Sequence, residues 1–126
     1  MFKRIDHVEI TTSDIDKCIS FYRDIFGFTF KERMKPKSPD LEEVAFLTLN
    51  DTMLELVKMK GPTPFPSCAQ IGFRSMAIEV EDMDKAIEYL KTKGVALSWG
   101  PMDLGTSKRA EIKDWEGLTV ELRQWL

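Results

Sequence analysis

The feature that most constrains this chain is that its second half repeats the plan of its first. Asp14-Ile-Asp-Lys17 recurs as Asp82-Met-Asp-Lys85, Met53-Leu-Glu-Leu-Val57 as Thr119-Val-Glu-Leu-Arg123, and Gly27 as Gly94. A repeat of this length must be one supersecondary unit used twice. Each copy begins with an alternating, β-rich stretch, at 4–12 and at 73–80, and passes into a segment with apolar residues at helical spacing. The first helix carries Ile15, Cys18, Ile19, Tyr22, Ile25 and Phe26, with Ser13-x-x-Asp16 as its N-cap signal and Gly27 as its stop. The second carries Met83, Ala86, Ile87 and Leu90 between Asp82 and Gly94. Three strand-like stretches follow each helix, near 28–34, 44–50 and 52–59, then near 95–99, 106–113 and 117–124. Asn50-Asp51 marks a tight hairpin turn, and Gly100-Pro101 and Glu116-Gly117 supply breaks.

The expected fold class is therefore α+β. Two βαβββ modules form a curved mixed and antiparallel sheet around a cleft, with the helices on its outer face. One single domain of 1–126 is expected to hold module one at 1–59, a linker at 60–70 and module two at 71–126. The linker holds Pro62, Pro64 and Pro66 and should be stiff and extended. A single sheet face covered by one helix leaves the other face open, and two copies solve that by joining.

Composition narrows the functional classes. Eighteen basic side chains stand against 21 acidic ones, for a formal net charge of −3, with no basic stripe. That disfavours nucleic acid and anionic membrane surfaces as partners. No run of about 18 apolar residues is present, so no spanning helix is expected. The start, Met1-Phe-Lys-Arg-Ile-Asp-His7, shows no leader pattern, and a cytoplasmic location is the default. Cys18 and Cys68 read as free thiols, Cys18 within the core.

Alternation along the strands sorts side chains by face. Val8 and Ile10, Leu54 and Leu56, Met76, Ile78 and Val80, and Val120 and Leu122 should meet the helices. The opposite, concave face then collects His7, Glu9, Glu55, Ser75, Glu79, Glu121 and Arg123. A half-buried sheet is polar on its wet side, and for Glu9 and Glu79 that plain reading is favoured. For His7, Glu55 and Glu121 a site is favoured, because carboxylates converging in a concavity repel each other and resist desolvation. A divalent cation, or protonation of one carboxylate, relieves both problems.

The βαβββ repeat, the His7-Val-Glu-Ile10 opening, the two Glu-Leu strands and Lys113-Asp-Trp-Glu-Gly117 resemble the vicinal oxygen chelate superfamily. That family includes lactoylglutathione lyase, methylmalonyl-CoA epimerase, extradiol dioxygenases, fosfomycin-resistance enzymes and bleomycin-binding proteins. The resemblance covers essentially the whole chain. It implies a metal held by His on the first strand, Glu on the fourth, His on the fifth and an acid on the eighth. His7, Glu55 and Glu121 match three of these positions, and the fourth falls on Ser75, a poor ligand. The usual Asp-Pro-Asp-Gly before the last strand is here Asp114-Trp-Glu-Gly117.

His7 is the only histidine, and a lone histidine is commonly structural; its strand position and the matching glutamates favour a ligand role. A single histidine excludes a two-His iron triad and the two-His manganese arrangement of fosfomycin resistance. One imidazole and two carboxylates leave an open site for a divalent ion such as Zn, Ni, Co, Mn or Fe, with no strong choice among them. The chemistry implied is a lyase, isomerase or epimerase reaction. The metal acts as Lewis acid, and Glu121 or Glu55 moves a proton next to a carbonyl. A glutathione adduct, a CoA thioester and a small keto acid all fit.

The competing reading is a metal-free small-molecule binder of the bleomycin-resistance type, with Phe65, Trp99, Trp115 and Trp125 as candidate lining. A blander third is a decayed site. A homodimer is expected by resemblance, with the modules pairing within the chain or swapped across the dimer. The loop at 35–42, with Lys35, Lys37, Pro36 and Pro39, is a candidate cover that would attract an anionic substrate.

Overall fold

The computed structural model describes residues 1–64 and 71–126, so Phe65 and Cys68 lie outside the described residues, as does much of the linker. The chain divides into two compact units, Met1–Pro64 and Phe65–Leu126. The first runs β1 (Val8–Thr11), α1 (Ile15–Phe26), β2 (Thr29–Met34), β3 (Leu41–Leu49) and β4 (Thr52–Met59). The second repeats it as β5 (Met76–Glu79), α2 (Met83–Thr92), β6 (Leu97–Asp103), β7 (Ser107–Lys113) and β8 (Thr119–Trp125). Each unit is thus a βαβββ module, as the repeat requires.

Both sheets share one topology. Module one has the order β1-β4-β3-β2 and module two the order β5-β8-β7-β6. The first and last strands of each module pair in parallel, and the remaining pairs are antiparallel. A parallel partner demands a crossover, and the helix and the hairpin strands supply it.

The helices begin where the carboxylates can cap them. Asp14 and Asp82 are the N-caps, with extended backbone and side chains that accept from the amides of Lys17 and Lys85 at 3.0 and 3.1 Å. The cap is Asp14 rather than Ser13, and Asp16 sits in the first turn. Gly27, at φ 77°, closes α1 in the left-handed conformation that glycine adopts without a Cβ penalty. In α2 the cap is Lys93, and Gly94 lies one residue beyond.

In module one, Ile15, Cys18, Ile19 and Tyr22 of α1 are buried with Ile10, Ala45, Leu47, Leu54 and Leu56 of the sheet. In module two the buried set is Met83, Leu90, Ala110, Ile112, Val120 and Leu122. Ile10, Leu54, Leu56, Val120 and Leu122 are buried as expected, while Met76, Ile78 and Val80 are only partly buried. Val8, however, is 43% exposed, because it opens the edge strand where regular pairing begins. Strands β1 and β5 are also shorter than the patterns at 4–12 and 73–80, since only four residues of each find a parallel partner.

Gly100-Pro101 does not break the chain between strands. It lies inside β6, where the register with β7 shifts between Trp99 and Met102. Proline has no amide proton to donate, and a bulge on an edge strand absorbs the loss. Gly100 is required there: its φ is 81°, and a Cβ would come within 2.8 Å of the Arg109 carbonyl oxygen.

Candidate metal centre and its counterpart

The parallel β1–β4 pair sets Glu9 opposite Glu55. His7 immediately precedes β1, two residues before Glu9, and its ring meets the same carboxylate: Nε2 lies 2.9 Å from Glu55 Oε2. One ligand atom from each of His7, Glu9 and Glu55 falls within 4.8 Å of the others. Two carboxylates at such a separation repel by ~1–4 kcal/mol, depending on how far solvent screens them. Among the described residues, neither Glu9 nor Glu55 forms an ion pair with a lysine or arginine; the ion-pair partner of Glu55 is His7.

The titration behaviour follows from that crowding. Burial pushes the Glu55 carboxyl above its usual range, Glu9 adds to the rise, and His7 opposes it. The His7 imidazole is also raised, first by its hydrogen bond to Asp6 and further by the charges of Glu55, Asp6 and Glu9, while desolvation works against it. Asp6 is lowered, chiefly by the same hydrogen bond.

Asp6 is the residue that strand alternation could not find. Its Oδ2 lies 2.9 Å from His7 Nδ1. Neighbours on a regular strand point to opposite faces, so adjacency in sequence argued against contact. Both residues precede β1, where the backbone is free of that rule. A proton held on Nδ1 by Asp6 leaves the Nε2 lone pair as the ligand, the usual outer-shell device for orienting a metal-binding histidine. One imidazole nitrogen and two carboxylates converging on one point form a donor set that fits a divalent first-row ion.

Module two presents the same backbone with different chemistry. Register places Ser75 where module one has His7, Ala77 where it has Glu9, and Glu121 where it has Glu55. Ser75 and Glu79 are exposed, and Glu79 pairs in register with Arg123. Glu121 is 8% exposed and held on both oxygens. Arg109 Nε donates to Oε2 at 3.0 Å, and Arg123 Nε and Nη2 lie 2.8 and 2.6 Å from Oε1. Arg123 Nη1 also donates to Ser107 Oγ at 2.9 Å. Arg109 and Arg74 both pair with Glu111. The two guanidinium groups stack on indole rings, Arg109 at 4.9 Å from Trp99 and Arg123 at 5.4 Å from Trp125.

Module one has no such arginines. The positions of Arg109 and Arg123 are taken there by Val44 and Val57, both buried. Sequence reading missed Arg109. The signal was the register of β7 against β8, which pairs Arg109 with Arg123 and Glu111 with Glu121. Of the other candidates, Lys35 and Lys37 are exposed on the loop before β3.

The fold and these residues agree with what the chain resembles. Residues 4–122 match the model of the Glyoxalase/Bleomycin resistance protein/Dioxygenase superfamily. The mitochondrial methylmalonyl-CoA epimerase of Mus musculus is 30% identical over 130 residues, covering 96% of this chain and 72% of the epimerase. A lactoylglutathione lyase of Arabidopsis thaliana is 30% identical over 128 residues; that match covers 97% of this chain and 44% of the lyase. Among solved structures, a glyoxalase family protein from Enterococcus faecalis superposes with a TM-score of 0.83 at 26% identity, covering 97% of this chain and 98% of that one. The chain therefore belongs to the glyoxalase/bleomycin resistance protein/dioxygenase superfamily.

Proposed function

We propose that this chain is a divalent-metal-dependent lyase or epimerase that moves a proton on the carbon next to a carbonyl. The observation that carries this reading is the His7–Glu55 pair, with Glu9 in register beside it and no arginine or lysine among the described residues to offset the two carboxylates. His7, through Nε2, and Glu55 would hold the ion. When bound, such an ion supplies Lewis acidity toward a carbonyl oxygen. Asp6 keeps the His7 ring oriented by holding its Nδ1 proton.

Glu55 takes the proton from carbon and returns it. Glu121, the other candidate, has both oxygens occupied by Arg109 and Arg123, so neither is open to take a proton, and Glu55 is the better carrier. The names of two relatives supply a substrate class: methylmalonyl-CoA and lactoylglutathione are both thioesters with a C–H bond next to the thioester carbonyl. The reaction class is tested by incubating the zinc- or nickel-loaded protein with each thioester in D2O. Deuterium entering the carbon next to the carbonyl, and lost in Glu55→Gln, supports the reading. No exchange in either thioester with the loaded protein contradicts it for this substrate class.

One feature favours a second reading, a binder of flat aromatic ligands without metal. Trp99 and Trp125 are 37% and 62% exposed and carry stacked arginines, which gives module two an aromatic, polar surface. A bound aromatic ligand that quenches tryptophan emission equally in chelator-treated and ion-loaded protein would favour that reading.

A further inference from the structure

The two modules place a glutamate at the same sheet position and neutralise it in opposite ways. Glu121 is committed on both oxygens to Arg109 and Arg123. Its counterpart Glu55 has valines at those two positions and a second carboxylate, Glu9, across the strand pair. In module two the residue equivalent to Glu9 is Ala77, and the residue equivalent to His7 is Ser75. Module two thus lacks two of the three donors that module one carries at equivalent positions.

We infer that Glu9 is the third metal donor, so that His7, Glu9 and Glu55 of module one bind the ion without a ligand from module two. The inference rests on the proposed metal dependence and adds to it the donor set. Its support is geometric. One atom from each of the three side chains lies within 4.8 Å of the others, all on or beside one parallel strand pair. Neutral imidazole and two carboxylates cancel the charge of a divalent ion, which removes the repulsion between Glu9 and Glu55. Recruiting Glu121 would instead require breaking its bonds to Arg109 and Arg123 and leaving the partly buried Arg123 guanidinium without its carboxylate partner, a costly exchange.

The experiment is calorimetric titration of the chelator-treated full chain with zinc chloride. Wild type should bind one ion, Glu9→Gln should weaken binding by at least about tenfold, a loss comparable with that of an outer-shell partner, and Glu121→Gln should leave the affinity within about twofold. Should Glu121→Gln fail to fold, carboxyl-labelled wild type decides: zinc should shift the 13Cδ resonances of Glu9 and Glu55 and leave that of Glu121 in place. Zinc affinity lost in Glu121→Gln, or unchanged in Glu9→Gln, overturns the inference while metal dependence stands. A wild-type chain that binds no divalent ion overturns both.

Discussion

At the scale of single residues, His7 links the chemistry to a measurable signal. It is the one imidazole in the chain, so its proton resonances can be followed without assignment. The Asp6 hydrogen bond and the nearby glutamates raise its pKa above the ordinary 6.5. A raised value in the folded state means that protonated His7 adds stability that is whole below pH 6.5 and fades as pH climbs through the folded value. The ion-free protein should therefore titrate with a midpoint above 6.5, and its stability should fall across that interval. Metal affinity should rise over the same interval, because protons and metal compete for Nε2. Asp6→Asn should lower the midpoint and weaken zinc binding by about tenfold, the lower end for loss of an outer-shell carboxylate. An unchanged NMR midpoint in Asp6→Asn would remove Asp6 from this role. Alternation, together with the converging carboxylates and the family resemblance, singled out His7 and Glu55 as candidates. Asp6 could not, because its contact depends on irregular backbone ahead of β1, and Arg109 needed the β7–β8 register.

At the scale of elements, capping and register govern which changes the modules tolerate. Asp14 and Asp82 each satisfy an otherwise open amide of a helix first turn. Alanine at either should cost about 1 kcal/mol by denaturant titration, with the slope of the transition unchanged. Gly100→Ala meets two penalties, a left-handed backbone and a 2.8 Å approach to the Arg109 carbonyl, so it should cost more than about 1–2 kcal/mol. A midpoint equal to wild type would show that β6 can shift at its bulge. The elements themselves were legible in the sequence. Both helices and most strands, among the described residues, fall close to where apolar periodicity and turn residues put them, while β6 runs on past its expected end near 99 to Asp103. The misjudged details share a cause, since strand ends and bulges are set by pairing partners. Pattern stops at 4–12 could not show that β1 has only four partnered residues, nor that Gly100-Pro101 would be carried inside β6.

At the scale of the whole molecule, duplication explains why one chain can hold two chemically distinct sheet faces. The repeat fixes backbone position, and substitutions at equivalent positions then diverge: His7, Glu9, Val44 and Val57 in one module, Ser75, Ala77, Arg109 and Arg123 in the other. If an ion binds the folded chain and not the unfolded one, ion at 100 times its Kd should stabilise the protein by about 2.7 kcal/mol, and a thermal melt with and without chelator reads this directly. Glu55→Gln should abolish most of that gain. The central claim, a metal held by the His7–Glu55 pair, is tested most directly by anomalous diffraction at the zinc edge from zinc-loaded crystals. A single peak within bonding distance of His7 Nε2 and a Glu55 carboxylate oxygen is the predicted result. Zinc bound elsewhere on the chain, with no peak at that pair, would contradict it.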